Sequence, residues 1–126
     1  MHTVLTAEAP APIGPYSQAI RSGGFLFCSG QIPLDPHSGA IVEGDVSLQT
    51  RRVLANLEAV LHAGGSSVDH VVKTTIFLVT MSDFAAVNAE YERVFGTTKP
   101  ARSTVAVAEL PRGARVEIDA IALIAE

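Results

Sequence analysis

Two charges stand in a stretch whose pattern leaves little room for them. From Pro100 to Ala122 the chain reads PARSTVAVAELPRGARVEIDAIA. The first half alternates around Val105 and Val107, and the second puts Val116, Ile118, Ala120 and Ala122 on one face, so both halves are predicted to be largely buried strands. Arg102 opens the first strand and Glu117 lies inside the second. Burying an ion without a partner is costly, so each should face a counter-ion, a ligand or a wet pocket. A pocket is the expectation. If the two strands formed a hairpin about Pro111 to Gly113, Glu117 would pair near Val107, roughly 16 Å from Arg102 at ~3.3 Å per residue. That distance argues against a direct salt bridge. Either another strand or a second subunit brings the two to one site, or they serve separate sites.

The rest of the chain supplies a scaffold for such a pocket. His2 to Thr6 is predicted as a short strand, and the Pro-rich AEAPAPIGPYS after it as a shaped loop. Gln18–Ser22 and Phe25–Ser29 flank Gly23-Gly24, a two-residue hairpin turn. GQIPLDPHSGAIVEG is rich in turn residues and leads to Asp45, a helix N-cap. Val46, Val53, Leu54, Leu57, Val60 and Leu61 then recur at helical spacing to Ala63, and Gly64-Gly65 ends that helix. Arg51, Arg52, Glu58 and His62 fall mainly on its other, solvated face. A β-branched strand follows from Val71 to Thr80, with Lys73 snorkelling at an edge or an interface. A second helix, Asp83 to Phe95, carries Phe84, Val87, Tyr91 and Val94 or Phe95 as a core-facing stripe and stops at Gly96.

Three strands, helix, strand, helix and two strands imply a mixed sheet with helices on one face. The other face still needs cover. Charged residues make up 17% of the chain, below the roughly 25% of typical soluble domains, so copies of the chain itself are the expected cover.

Composition also excludes several functions. A net charge of -4 and a pI near 5.5 oppose backbone-tracking nucleic-acid binding. Cys28, the only cysteine, permits no intrachain disulfide and reads as a small core residue, and His2, His37, His62 and His70 lack metal-ligand spacing. No metal site is expected. No apolar run approaches the ~20 residues of a membrane span, and the expected location is cytoplasmic. Glycine-rich phosphate loops and nucleophile elbows are absent, leaving the Arg102 fork, suited to a small carboxylate, and Glu117, suited to holding or deprotonating water.

Six blocks follow one order along nearly the whole chain: IGPYSQA at 13–19, CSGQIP at 28–33, VKTTIFL at 72–78, FAAVNAEYERVF at 84–95, PARSTV at 100–105 and VEIDAIA at 116–122. Together they resemble the Rid family of reactive-intermediate and imine deaminases, also called the YjgF family. The resemblance implies a single α+β domain over residues 1–126, chorismate-mutase-like, with about six strands in a mixed sheet and two helices on one face. It also implies a homotrimer with pockets between subunits, and cofactor-free hydrolysis of short 2-imino acids to 2-oxo acids and ammonia. The imines would come from PLP-dependent serine and threonine dehydratases, a functional link that requires no contact. By the same resemblance Arg102 grips the substrate carboxylate and Glu117 orients or activates water. Tyr16 lines the pocket, Ser29 and Gly30 form its hydroxyl and backbone floor, the backbone at Ser103 and Thr104 helps hold the carboxylate, and Asn88 ranks below these. Thr104 stands where the best-known deaminase pattern has cysteine, which bears on subfamily and substrate range. Two alternatives stay open: a family deaminase for a catabolic enamine such as 2-aminomuconate, and a non-catalytic binder of small carboxylates.

Overall fold

A computed structural model of the chain describes residues 1–125. The first hairpin forms as its turn residues require: Gly23 and Gly24 both adopt positive φ, 62° and 84°, and join β2 (Ala19–Ser22) to β3 (Phe25–Gln31). β1 (His2–Val4) pairs with β2, ending two residues earlier than its sequence suggested. The Asp45 side chain caps α1 (Val46–Ala63) by accepting from the Leu48 N–H at 2.9 Å, and Gly64 ends the helix. β4 (Val71–Leu78), α2 (Phe84–Phe95), β5 (Ala101–Ala106) and β6 (Val116–Leu123) complete the chain.

The six strands lie in the order β1-β2-β3-β6-β4-β5, and only β4 and β5 pair in parallel. Parallel neighbours need a crossover, and α2 provides it. Both helices lie on one face, where Leu26, Cys28, Ile76, Leu78, Val116, Ile118, Ala120 and Ala122 join Val53, Leu57, Val60 and Phe95 in a single core. On β6 the buried residues alternate with half-buried Glu117, Asp119 and Ile121, which face the other way.

The sequence reading of β5 as a buried strand needs correction. β5 is an edge strand and mostly exposed, not largely buried, and Val105 is 42% exposed. Nor do β5 and β6 form a hairpin. Pro111–Gly113 is a 3₁₀ turn with Arg112 at φ 62°, and it lies on a path that carries the chain past β4 to pair β6 with β3 and β4. The second helix also starts one residue late, at Phe84, and Arg51 is not simply solvated: its Nε and Nη2 donate to Glu90 on α2 at 2.9 and 3.2 Å.

The face away from the helices is open. Phe25, Phe27, Val105 and Leu123 are all more than a third exposed there, and Phe27 reaches 44%. The Phe25 and Phe27 rings lie 6.2 Å apart there, and register sets Leu123 beside Phe25.

Candidate active site

Register decides where the two charges point. Arg102 pairs with Thr74, whose buried side chain faces α2, so Arg102 leaves the sheet on the helix side. Glu117 pairs with Phe77, three positions further along β4, and therefore projects from the open face. The two groups lie on opposite faces of one sheet. Each borders its own cavity. Arg102, Asn88, Tyr91, Glu92, Lys99 and Pro100 help line a groove of about 430 Å³, while Glu117, Tyr16, Ser29, Gly30, Ile13 and Pro111 line one of about 330 Å³.

The Glu117 cavity is built by a bulge. Cys28 pairs with Ala120 but Gln31 with Ile118, so β3 has an extra residue at Ser29-Gly30. That residue re-aims the strand. The Ser29 hydroxyl donates to the Ser17 carbonyl at 2.6 Å, tying the bulge to the loop that carries Tyr16. Gln18 fixes the same loop from below: its Oε1 accepts from the Thr6 N–H at 2.7 Å and its Nε2 donates to the Pro10 carbonyl at 2.9 Å. Tyr16 is 51% exposed at the cavity mouth, so it is not a core ring.

Gly30 admits the carboxylate. A Cβ there would lie 2.8 Å from Glu117 Cδ and nearer still to Oε2. Burial, and secondarily the charge of Asp119 two residues along the same face, push the Glu117 pKa above its ordinary value. Among the described residues Glu117 joins no salt bridge. A partly buried carboxylate at a cavity, without a counter-ion, is a candidate for chemistry. Gly30→Ala is expected to leave the fold intact, because only the flexible end of Glu117 must yield. The displaced carboxylate should then titrate closer to its ordinary value in a carboxyl NMR titration; an unchanged pKa would show that Gly30 does not position it.

On the other side, Arg102 Nη1 donates to Asn88 Oδ1 at 2.8 Å, and the guanidinium lies over the Tyr91 and Phe84 rings. It too joins no salt bridge among the described residues. Ser103 and Val105 share the open face, while Thr104 turns with Arg102 toward the helices, its buried Oγ1 without a partner. The candidate residues thus form two groups within one chain: Arg102, Asn88 and Thr104 on one face, and Tyr16, Ser29, Gly30 and Glu117 at the other cavity. Cys28 belongs to neither. Burial, aided by Asp119, pushes its thiol up to about 12, so it serves as a core residue.

Reading the sequence alone missed Asp119 and the aromatic support of Arg102. Signals for both existed: Asp119 alternates with Glu117, and Phe84, Asn88 and Tyr91 recur at i, i+4 and i+7 along α2. Among the described residues no cluster of His, Cys, Asp or Glu has the arrangement of a metal site, and no helix is long and apolar enough to cross a membrane.

A six-stranded mixed sheet backed by two helices, with a bulge-built cavity on its open face, defines a YjgF-like α+β subunit. The family model described as Endoribonuclease L-PSP matches residues 6–124, and the chain belongs to the Rid (YjgF) family. A RutC family protein of Pyrococcus horikoshii is 53% identical over 119 residues, 94% of each chain. A Salmonella typhimurium protein named 2-iminobutanoate/2-iminopropanoate deaminase is 49% identical over 124 residues, 96% of each chain. Among solved structures, Escherichia coli TdcF with bound serine superposes with a TM-score of 0.94 at 41% identity, over 99% of this chain and 100% of that one.

Proposed function

We propose that the protein hydrolyses short 2-imino acids, such as 2-iminopropanoate and 2-iminobutanoate, to 2-oxo acids and ammonia at sites shared between protomers of a homotrimer. One observation carries the reading: a guanidinium and a carboxylate, each at a cavity and each outside any salt bridge among the described residues, are presented by opposite faces of one sheet. They meet only if the β5 edge of one copy lies against the open face of the next. Such a contact joins two different surfaces, and three of them close a ring. It would also cover Phe27, Val105 and Leu123. The deaminase name of the Salmonella relative and the serine bound to TdcF support a small amino- or imino-carboxylate as the ligand.

The chemistry needs little beyond placement. Arg102 of one protomer holds the carboxylate of the imine, which forms from its enamine tautomer. Water held by Glu117 of the neighbour adds to the imine carbon, its oxygen bonding as the C=N π pair moves to nitrogen. Glu117 takes a proton from that water and returns it to nitrogen, giving the carbinolamine; the same carboxylate then carries the hydroxyl proton to the amino nitrogen as the C–N bond breaks and C=O forms, releasing the 2-oxo acid and ammonia. Positioning and one proton transfer, worth ~10²-fold or more, suffice for a reaction that already proceeds in water, so the scheme calls for no cofactor.

The test couples a PLP-dependent dehydratase, which releases the enamine, to spectroscopic detection of the imine with and without this protein. Faster loss of imine is expected. Clearance unchanged at micromolar protein would defeat the proposal, and faster clearance of a muconate-type enamine alone would move the substrate class.

A further inference from the structure

An arginine on an exposed edge strand keeps its rotamer freedom unless something holds it, and a loose fork grips poorly. Arg102 is held on several sides. Nη1 donates to Asn88 Oδ1 at 2.8 Å, and Cζ lies 4.9 Å from the centre of the Tyr91 ring and 5.7 Å from that of Phe84. Tyr91 is fixed in turn. Its hydroxyl shares a buried 2.7 Å hydrogen bond with Thr74 Oγ1, and its ring packs on Phe95 at 4.7 Å between centres. Thr74 is also the register partner of Arg102, so a single strand pairing sets the height of both the ring and the guanidinium. Burial raises the Tyr91 pKa, and the neutral ring has the face that attracts a cation. Among the described residues Arg102 Nε and Nη2 have no hydrogen-bond partner.

We propose that Tyr91 is a positioning residue: locked by Thr74, its ring holds the plane of the Arg102 guanidinium while Asn88 takes Nη1, so that the Nε and Nη2 side meets a carboxylate as a ready-made fork. The inference rests on Arg102 being the carboxylate grip. It assigns Tyr91 no contact with the reacting atoms.

The experiment measures calorimetric affinity of the assembled protein for 2-oxobutanoate, together with KM and kcat for the imine. Tyr91→Met, which removes the ring, is expected to weaken 2-oxobutanoate binding about tenfold and to raise KM by a similar factor with little change in kcat. Tyr91→Phe keeps the ring and should lose less than about threefold. A merely structural role would not split KM from kcat in this way, nor let phenylalanine rescue the loss. Parental affinity in Tyr91→Met would overturn the proposal. If that variant does not fold, Phe84→Leu decides in its place: about threefold weaker binding supports the aromatic platform, and parental binding overturns it. Arg102→Ala separates the two layers of argument. If it binds 2-oxobutanoate as the parent does, the carboxylate grip itself is wrong; if it loses binding while Tyr91→Met keeps it, only the positioning claim falls.

Discussion

Arg102→Ala and Glu117→Ala, each inactive alone, are expected to regain about a quarter of parental activity when refolded together. The arithmetic follows from a site split between copies: half the protomers in the mixture carry an intact Arg102, half an intact Glu117, and a working seam needs one of each, about one in four. The single losses should be large. Removing one partner of a desolvated charge pair costs ~2–5 kcal/mol, which for Arg102→Ala corresponds to roughly 30-fold to several thousand-fold in kcat/KM. The measurement is clearance by the co-refolded mixture beside each variant refolded alone, with native mass spectrometry to verify mixed trimers. Activity near zero in verified mixed trimers would mean that Arg102 and Glu117 do not act together. A monomer in light scattering would remove the seam altogether. No rearrangement inside one protomer gives the same recovery, because Arg102 and Glu117 project from opposite faces of the sheet.

That geometry was only partly legible in the sequence. α1 could be read to the residue because Val53, Leu57, Val60 and Leu61 repeat at helical spacing between an Asp45 cap and Gly64. The alternation of Val116, Ile118, Ala120 and Ala122 likewise located the buried face of β6. What local pattern does not encode is the pairing partner. The turn at Pro111–Gly113 sits between two strands, yet it serves a passage across the sheet rather than a hairpin, and only tertiary packing decides between those.

The mistake about β5 is instructive for a different reason. Val105 looked like a core residue and is 42% exposed in the protomer. Alternation in a sequence shows which residues share a face of a strand, but not whether that strand lies at the edge or in the middle of the sheet, and β5 is at the edge. Of the site residues, Arg102 and Glu117 stood out because strands rarely bury charge, whereas Asn88 did not, since one polar residue on a helix has many ordinary explanations. Its role beside Arg102 becomes visible only when α2 is laid across β4 and β5.

Glu117→Gln should reduce clearance by about 10²-fold while leaving the fold as stable as the parent or more so at neutral pH. The direction of the stability effect follows from proton linkage. The folded protein holds the Glu117 pKa above its ordinary value of 4.5, first by burial and then through Asp119. As pH rises from 4.5, the unfolded chain releases this proton before the folded one does, so the side chain's contribution to stability is full below 4.5 and is lost as pH climbs through the folded value. At neutral pH the ionised carboxylate therefore opposes folding, and glutamine, neutral at every pH, removes that opposition. Thermal unfolding of parent and variant across a pH series measures the margin, which should shrink toward nothing as pH falls to the ordinary carboxylate range. The parent's clearance should rise with pH as Glu117 ionises, because only the carboxylate form can take a proton from water, and the variant should lose that rise. A variant less stable at every pH by the same amount would identify Glu117 as a structural residue. A variant with full activity would remove proton transfer from the scheme, leaving Arg102 to act by binding alone.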